Sequence, residues 1–434
     1  MTFKIYTLGC KVNYYDSNAL KKALIVSGMK LADKNADIAI INTCSVTKIA
    51  QKKDRQMVVK AKNENPNAKI IMMGCYVKTY KEEMKKIKGV DKFWPVGKIN
   101  ELVTEIKNEY FKDLNRNFHS SENQVFSSER SRYFIKIQDG CEQFCTYCII
   151  PYARGPLQSR DKDEIISEIK NAIASGYKEI VLSGIHLGLY GKESKHTPLI
   201  RGARGVKKVS EISNPLNPPC QGDLFSLLHD ILKIKNLGRI RLSSIEVTEV
   251  TDELIALMKN EKRICKHLHI PLQSGCDKIL KRMNRPYDTK YFENKIRKIR
   301  KIIPNIAITT DVIVGFPGET DKDFKETENF IKKINFSELH VFSFSAHEKT
   351  AAAKMDGMVD PKIIKARSEK LRKLSLGLEK KYQRKFKNKI MEVVIKGGGD
   401  RRIVGKTEYF FDIYEKMSKG NDYKVGDLVR IRNK

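Results

Sequence analysis

Three cysteines stand within one short segment, "KIQDGCEQFCTYCIIPYARG" (136–155): Cys141, Cys145 and Cys148. A closed structural zinc site takes four ligands, usually from two paired C-x-x-C knuckles, and no second knuckle accompanies this one. On a 4Fe-4S cube, three thiolates leave one iron open, and an open metal position is what chemistry needs and a structural site avoids. The chain holds nine cysteines, the others being Cys10, Cys44, Cys75, Cys220, Cys265 and Cys276. Nine is odd and no secretory leader is visible, so cluster or metal ligation is a better default than a disulfide framework.

A second set is spread along the chain. Cys10, Cys44 and Cys75 each close a strand-like run: "IYTLGC", "IINTC" and "IMMGC". In a parallel sheet the C-terminal strand ends share one edge, so these three thiols can converge there. The competing reading is ordinary, because a single strand-end cysteine is more often core than ligand. Cys220 has no ligand neighbour in sequence, and His186, His267 and His269 alternate with apolar residues, as satisfied polar groups on strands do.

The elements that must position these thiols are legible in the patterning. The chain has 434 residues, enough for two to three domains. The first hundred residues alternate strands and helices, and the strands are apolar along their length, as in a doubly wound parallel sheet covered on both faces. Polar residues dominate 111–131, which reads as a linker. From 132 to about 350 six strand runs follow: "FIKIQDG", "EIVLSGI", "RIRLSSI", "HLHIPLQ", "AITTDVIVGF" and "LHVFSFS". Amphipathic helical patterns follow the first five. Such units predict a partial TIM-like (β/α) barrel, with functional residues at the strand C-termini. The stretch 192–223 holds four of the thirteen prolines and reads as a flexible surface insertion. A basic helix begins near 361, and the last segment alternates in short runs with glycine turns, as a small antiparallel β-barrel does.

Lys plus Arg number 83 against 52 Asp plus Glu, a net charge of +31. Such a field favours a polyanionic partner, although lysine-rich coding bias alone also raises it. Residues 378–434 carry 16 basic against 8 acidic residues. No apolar run approaches about 18 residues, which predicts a soluble, cytoplasmic protein without a membrane partner.

The C-x-x-x-C-x-aromatic-C pattern, with Tyr147 as the aromatic, resembles the radical S-adenosylmethionine (SAM) superfamily. "TLGCKVNYYDS", "INTCSVT" and "GCYV", then "CTYCIIPYARG", "EIVLSGIHLGLYG", "HLHIPLQSG", "LKRMNRPY" and "DVIVGFPGET", are similar in order to the methylthiotransferase family. The last segment resembles a TRAM RNA-binding domain. The resemblance spans nearly the whole chain except 192–223. "TLGCKVN" and "HLHIPLQSG" resemble the MtaB-type branch that acts on N6-threonylcarbamoyladenosine in tRNA; the isopentenyl-adenosine branch tends to read "GCQMN" at the first site. Two departures stand out. Cys276 occupies a position where the family commonly has serine, a packing substitution, and "HVFSFSAHEKTAAAKM" lacks the family's usual prolines.

This resemblance implies domains at 1–110 (auxiliary cluster), 132–360 (radical SAM core), 361–377 (basic connecting helix) and 378–434 (TRAM). It implies that Cys141, Cys145 and Cys148 hold the SAM-cleaving 4Fe-4S cluster and that Cys10, Cys44 and Cys75 hold an auxiliary 4Fe-4S cluster carrying sulfur. One SAM would methylate that sulfur; a second, cleaved reductively, would activate C2 of the adenine for methylthio transfer. Aromatic C2–H is strong and not acidic, so a cofactor must supply the hard step. Tyr147, Gly184, Ser244 and Gln273 are candidates for the SAM pocket, against strand-end packing for the last three. The implied partners are a tRNA anticodon stem-loop, whose unpaired bases can be splayed out, and an electron donor such as flavodoxin or ferredoxin, the enzyme acting as a monomer. The alternatives are the isopentenyl-adenosine activity, a non-catalytic RNA-binding iron–sulfur protein, which needs a fourth protein ligand at each cluster, and a radical SAM enzyme that modifies a protein.

Overall fold

The computed structural model describes residues 1–110, 131–192, 200–201, 206–207, 223–399, 402–416 and 423–433. The expected linker (apart from residue 131) and most of the expected insertion, Cys220 included, lie outside the described residues. The chain divides into two compact units, one of Met1–Phe126 and Cys148–Pro156, the other of Ser127–Tyr147 and Leu157–Lys434. Cys148–Pro156 thus groups with the N-terminal unit rather than with 132–360.

The first unit runs β1 (Thr2–Thr7), α1 (Lys11–Val26), β2 (Lys30–Leu31), β3 (Ile38–Thr43), α2 (Lys48–Glu64), β4 (Lys69–Gly74), α3 (Cys75–Thr79), α4 (Lys81–Met84), β5 (Lys92–Pro95) and α5 (Ile99–Tyr110). All pairings are parallel, in the order β2-β1-β3-β4-β5. Every residue of β3 is buried, because helices cover both faces. Ile38 and Ile40 pack with Leu20, Leu24 and Leu102 on one face. Ala39 and Ile41 pack with Val58, Ala61 and Tyr76 on the other. The strand order reverses between β1 and β3, the place where open α/β sheets bind ligands.

The short α6 (Ile150–Arg154) also belongs to the first unit, while β6 (Tyr133–Asp139) opens the second. There β7 (Gln158–Ser159), α7 (Lys162–Ala174), β8 (Glu179–Gly184), a ribbon of β9 (Ile200–Arg201) and β10 (Val206–Lys207), α8 (Leu224–Leu232), β11 (Arg239–Leu242), α9 (Asp252–Asn260) and β12 (His267–His269) follow. Next come α10 (Asp277–Arg282), α11 (Thr289–Ile302), β13 (Ala307–Val314), α12 (Asp321–Ile334), β14 (Glu338–Ser343) and α13 (Pro361–Arg384). β11, β8 and β6 pair in parallel, as do β12, β13 and β14. Parallel bridges Ile240↔Ile264 and Ser244↔His269 join the two sets. The six expected strands therefore line up in chain order as one partial barrel. Side-chain caps from Asp161, Thr251, Asp288 and Thr320 start its outer helices.

The chain ends in an antiparallel sheet of β15 (Ile390–Gly399), β16 (Arg402–Thr407), β17 (Asp412–Lys416) and β18 (Leu428–Arg432), in the order β17-β16-β15-β18. A buried carboxylate docks it. Glu179 accepts from Arg239 Nε at 2.6 Å and Arg241 Nε at 2.8 Å. Arg239 also donates to the carbonyls of Glu392 and Lys406, and Arg241 to that of Thr407, at 2.7–2.8 Å. His267 stacks on Phe410, rings 3.9 Å apart and 10° from parallel. No helix among the described residues is long and apolar enough to cross a membrane.

Candidate metal centres

The first centre lies at the strand ends where the order reverses. Gly9, after β1, has φ +99°, and a Cβ there would stand 2.8 Å from Cys44 Cβ. Glycine at this point lets the chain pass against Cys44 before Cys10 caps α1. Cys44 follows β3, and its N–H donates to the buried Asp54 carboxylate at 3.1 Å. Cys75 opens α3 directly after β4. Burial pushes the Cys44 thiol up to about 12, with the Cys10 and Cys75 sulfurs adding to it. Cys75 is pushed up to about 11 by burial, eased by Arg154 and raised further by Cys10. The three thiols thus all follow strands of one parallel sheet, β1, β3 and β4, at the same edge.

Arg154, at the end of α6, is the cation of this centre. It donates from Nη1 to Asp16 Oδ2 at 2.8 Å and from Nη2 to Asn13 Oδ1 at 2.6 Å, and its positive charge acts on the Cys75 thiol. Asn13 in turn donates to the carbonyls of Leu8 at 2.9 Å and Thr43 at 2.8 Å, the ends of the loops carrying Cys10 and Cys44. One buried guanidinium and one buried amide therefore hold all three loops.

In the second unit Cys141 and Cys145 follow β6. His186 Nδ1 lies 3.5 Å from Cys141 Sγ, and its Nε2 is 2.5 Å from Glu249 Oε1. Burial opposes charge on this imidazole, but the Cys141 sulfur and the Glu249 carboxylate outweigh it and push His186 up to about 10. Arg285 donates to Cys145 Sγ at 3.1 Å, pairs with Glu246, and reaches Tyr287 Oη at 3.1 Å. Burial raises the Cys145 thiol and the Arg285 charge opposes that rise. Gln138 ties β6 to β8 by accepting from His186 N–H at 2.7 Å and donating to the Gly140 carbonyl at 2.9 Å. Cys148 follows Cys145 by three residues and opens the segment that folds with the first unit.

None of the eight described cysteines is in a disulfide. Each set offers three thiol donors with a cation beside it, the donor chemistry of an iron–sulfur cube with one iron left open. Cys265 and Cys276 are buried apart from these sets, and Cys276 packs with Ile279 and Met283.

The SAM-pocket candidates fall at strand ends. Tyr147 packs partly buried against the Cys276 cluster. Gly184 ends β8, where a Cβ would press on Gln138 at 3.1 Å. Ser244 follows β11 and bridges to His269. Gln273, with φ +65°, donates its N–H to the Asp311 carbonyl at 2.8 Å. Sequence reasoning missed Arg154 and Arg285 as cations beside the thiols and Glu246 and Glu249 as the carboxylates that hold Arg285 and His186, and it read His186 as a satisfied polar group. Arg154 and Arg285 stand inside the conspicuous segments "PYARG" and "LKRMNRPY", the one signal that pointed at them.

Comparison with known proteins decides the family. The radical SAM superfamily model matches residues 135–331, and a family described as "Uncharacterized protein family UPF0004" matches 2–95. The chain is 36% identical to the threonylcarbamoyladenosine tRNA methylthiotransferase MtaB of Bacillus subtilis, over 99% of this chain and 93% of that protein. It is 35% identical to the protein of the same name from Thermotoga maritima, over 100% and 94%. The chain belongs to the radical SAM methylthiotransferase family. A tRNA-2-methylthio-N(6)-dimethylallyladenosine synthase of Carboxydothermus hydrogenoformans is 32% identical over 99% of this chain and 96% of that protein. Among solved structures, the radical SAM methyltransferase TsrM of Kitasatospora setae aligns with a TM-score of 0.55 at 12% identity, covering 81% of this chain and 76% of that one, a likeness of fold. As a radical SAM methylthiotransferase the chain is a transferase, and membership implies SAM and a 4Fe-4S cluster.

Proposed function

We propose that this radical SAM methylthiotransferase adds a methylthio group to C2 of N6-threonylcarbamoyladenosine beside the anticodon of tRNA. Two 4Fe-4S clusters, one with SAM on Cys141, Cys145 and Cys148 and one on Cys10, Cys44 and Cys75, would supply SAM cleavage and the transferred sulfur. The observation that carries this reading is the second thiol set: three strand-end cysteines in a unit held by Arg154 and Asn13, in a chain whose radical SAM core needs only one cluster to cleave SAM. A non-catalytic iron–sulfur protein has no use for two such three-thiol sets.

The protein's own residues hold and orient. Arg285 and His186 fix the sulfurs of Cys145 and Cys141, and the carboxylates of Glu246 and Glu249 hold those cations in place. For RNA, the C-terminal sheet presents exposed Arg402 directly opposite exposed Lys416, with Val404 opposite Tyr414, which is 72% exposed. Cations for phosphates beside an aromatic ring for a base are the elements of single-strand RNA contact, which supports reading this sheet as a TRAM module. The expected cytoplasmic monomer, reduced by a flavodoxin or ferredoxin, fits this reading.

The threonylcarbamoyl substrate is favoured by the MtaB relatives and the "TLGCKVN" motif. Nucleoside mass spectrometry of tRNA from a deletion strain tests it: 2-methylthio-N6-threonylcarbamoyladenosine should vanish and its unthiolated precursor accumulate. Loss of the isopentenyl analogue instead would overturn the substrate and keep the reaction.

A further inference from the structure

Three neighbouring strands of the barrel bring together two imidazoles and a carboxylate. His269 ends β12, Asp311 lies within β13, and His340 lies directly opposite Asp311 on β14. His269 Nε2 and His340 Nδ1 each stand 3.2 Å from the same oxygen, Asp311 Oδ1. The three prospective donor atoms all lie within 4.8 Å of one another. The rings of His269 and His340 are 5.1 Å apart and inclined by 24°, so they flank the carboxylate from one side.

What lies behind the imidazoles is the second observation. A ligating histidine characteristically has its other ring nitrogen held by an oxygen, which fixes the tautomer and the ring plane. His269 Nδ1 is 2.9 Å from Thr309 Oγ1. His340 Nε2 is 3.6 Å from Glu338 Oε1. The His269 ring is thus held by a hydrogen bond on the side away from Asp311, while Glu338 stands near the other nitrogen of His340 at ion-pair range only. The side chains of Asp311 and His340 remain 26% and 39% exposed, so the cluster is open to entry.

We propose that His269, Asp311 and His340 form a binding site for one divalent first-row transition metal ion, such as Mn²⁺ or Fe²⁺. Two imidazole nitrogens and one carboxylate oxygen on one side of an ion are the donor set such metals take, with the remaining positions left to water or another oxygen ligand. Without the ion, His340 and Asp311 pair with each other at 3.2 Å. A second grouping, Cys276 with Asp323 and Glu326, is a weaker competitor, because the Lys278 ammonium already occupies Asp323 at 2.7 Å.

Mn²⁺ is the suitable probe, because carboxylate and imidazole hold it while thiolates favour softer metals. The full chain, with clusters loaded and loosely held iron removed by EDTA, is titrated with Mn²⁺ while free Mn²⁺ is followed by electron paramagnetic resonance. About one ion per chain is expected, with affinity falling at least about tenfold in His340→Gln and in Asp311→Asn and unchanged in Asp323→Asn. Iron content and melting temperature confirm that each variant is folded. Should Asp311→Asn unfold, the half-exposed His340→Gln decides alone. Absence of saturable binding, or equal affinity in His340→Gln and the parent, overturns the site. Loss of binding in Asp323→Asn alone would move it to the Cys276 group and equally overturn it.

Discussion

Arg285 donates to Cys145 Sγ at 3.1 Å while its other terminal nitrogen grips the Glu246 carboxylate. The same arrangement recurs at two more thiols. His186 faces Cys141 and is backed by Glu249, and the Arg154 charge acts on Cys75 and is backed by Asp16. In each case a carboxylate fixes the cation, and the cation fixes a sulfur. Hydrogen bonds to cluster sulfurs favour the reduced, more negative state, so these cations bear on reducibility as well as position.

Replacing Arg285 with lysine keeps the charge and removes the planar fork that spans Cys145, Glu246 and Tyr287 at once. Arg285→Lys is expected to lower activity by about 10–100-fold and to shift the potential of the cluster proposed at Cys141, Cys145 and Cys148 to a more negative value. A redox titration followed by electron paramagnetic resonance reads that shift. An unchanged potential would show that the N–H···S bond does not tune the cluster.

Arg154→Met removes the partner of Asp16, whose side chain is only 4% exposed. Leaving a buried charge alone costs about 3–5 kcal/mol, so the variant should melt well below the parent. The double variant Arg154→Met, Asp16→Asn removes the orphaned charge and should recover most of the stability. It does not restore the contact with Cys75, so its reconstituted iron should stay near about four per chain rather than about eight. Full iron in the double variant would exclude Arg154 from any part in the first centre.

Which parts of this were readable in sequence follows from how far apart the partners lie. The six barrel strands and the three strand-end thiols of the first unit were legible, because each is a local pattern: an apolar run and the residue that ends it. Arg285 is 140 residues from Cys145, and Arg154 is 138 from Asp16. No period or spacing links such pairs; only the strand order brings them together. His186 shows the limit most plainly. Its alternation with apolar neighbours reads as a satisfied polar group on a strand, whereas it lies two residues past β8 and its partners, Cys141 and Glu249, come from beyond two other strands. The Arg239–Glu179–Arg241 dock was hidden for another reason: "RIRL" shows a strand, but nothing in it shows that both its arginines are buried on a carboxylate 60 and 62 residues away.

That dock makes the C-terminal sheet sensitive to acid. Burial raises the Glu179 carboxyl, but Arg241, Arg239 and Arg132 outweigh it and hold it well below the usual carboxylate range. A depressed folded value means the stability is fully present above the ordinary value of 4.5 and is lost as pH falls below it. Glu179→Gln removes the counter-charge of two fully buried guanidiniums, at a cost of about 3–5 kcal/mol. It should also flatten the fall in melting temperature as the pH drops below 4.5. Limited proteolysis at pH 7 should release the sheet sooner. An identical pH profile in variant and parent would assign the acid response to other groups.

The two-cluster reading is tested most cleanly at Cys10. Cys44 and Cys75 are buried, so their replacement leaves a cavity and confounds cluster loss with packing loss. Cys10 is exposed, and alanine there costs the fold little. Cys10→Ala should lower reconstituted iron from about eight to about four per chain while leaving the other cluster's three thiols intact. With dithionite, the variant should still release 5′-deoxyadenosine from SAM but transfer no methylthio group to tRNA. Cys145→Ala should lose both activities, since without its cluster there is nothing to reduce SAM. Cys10→Ala with full iron and full transfer would leave the strand-end thiols as ordinary core residues and remove the sulfur donor from the mechanism.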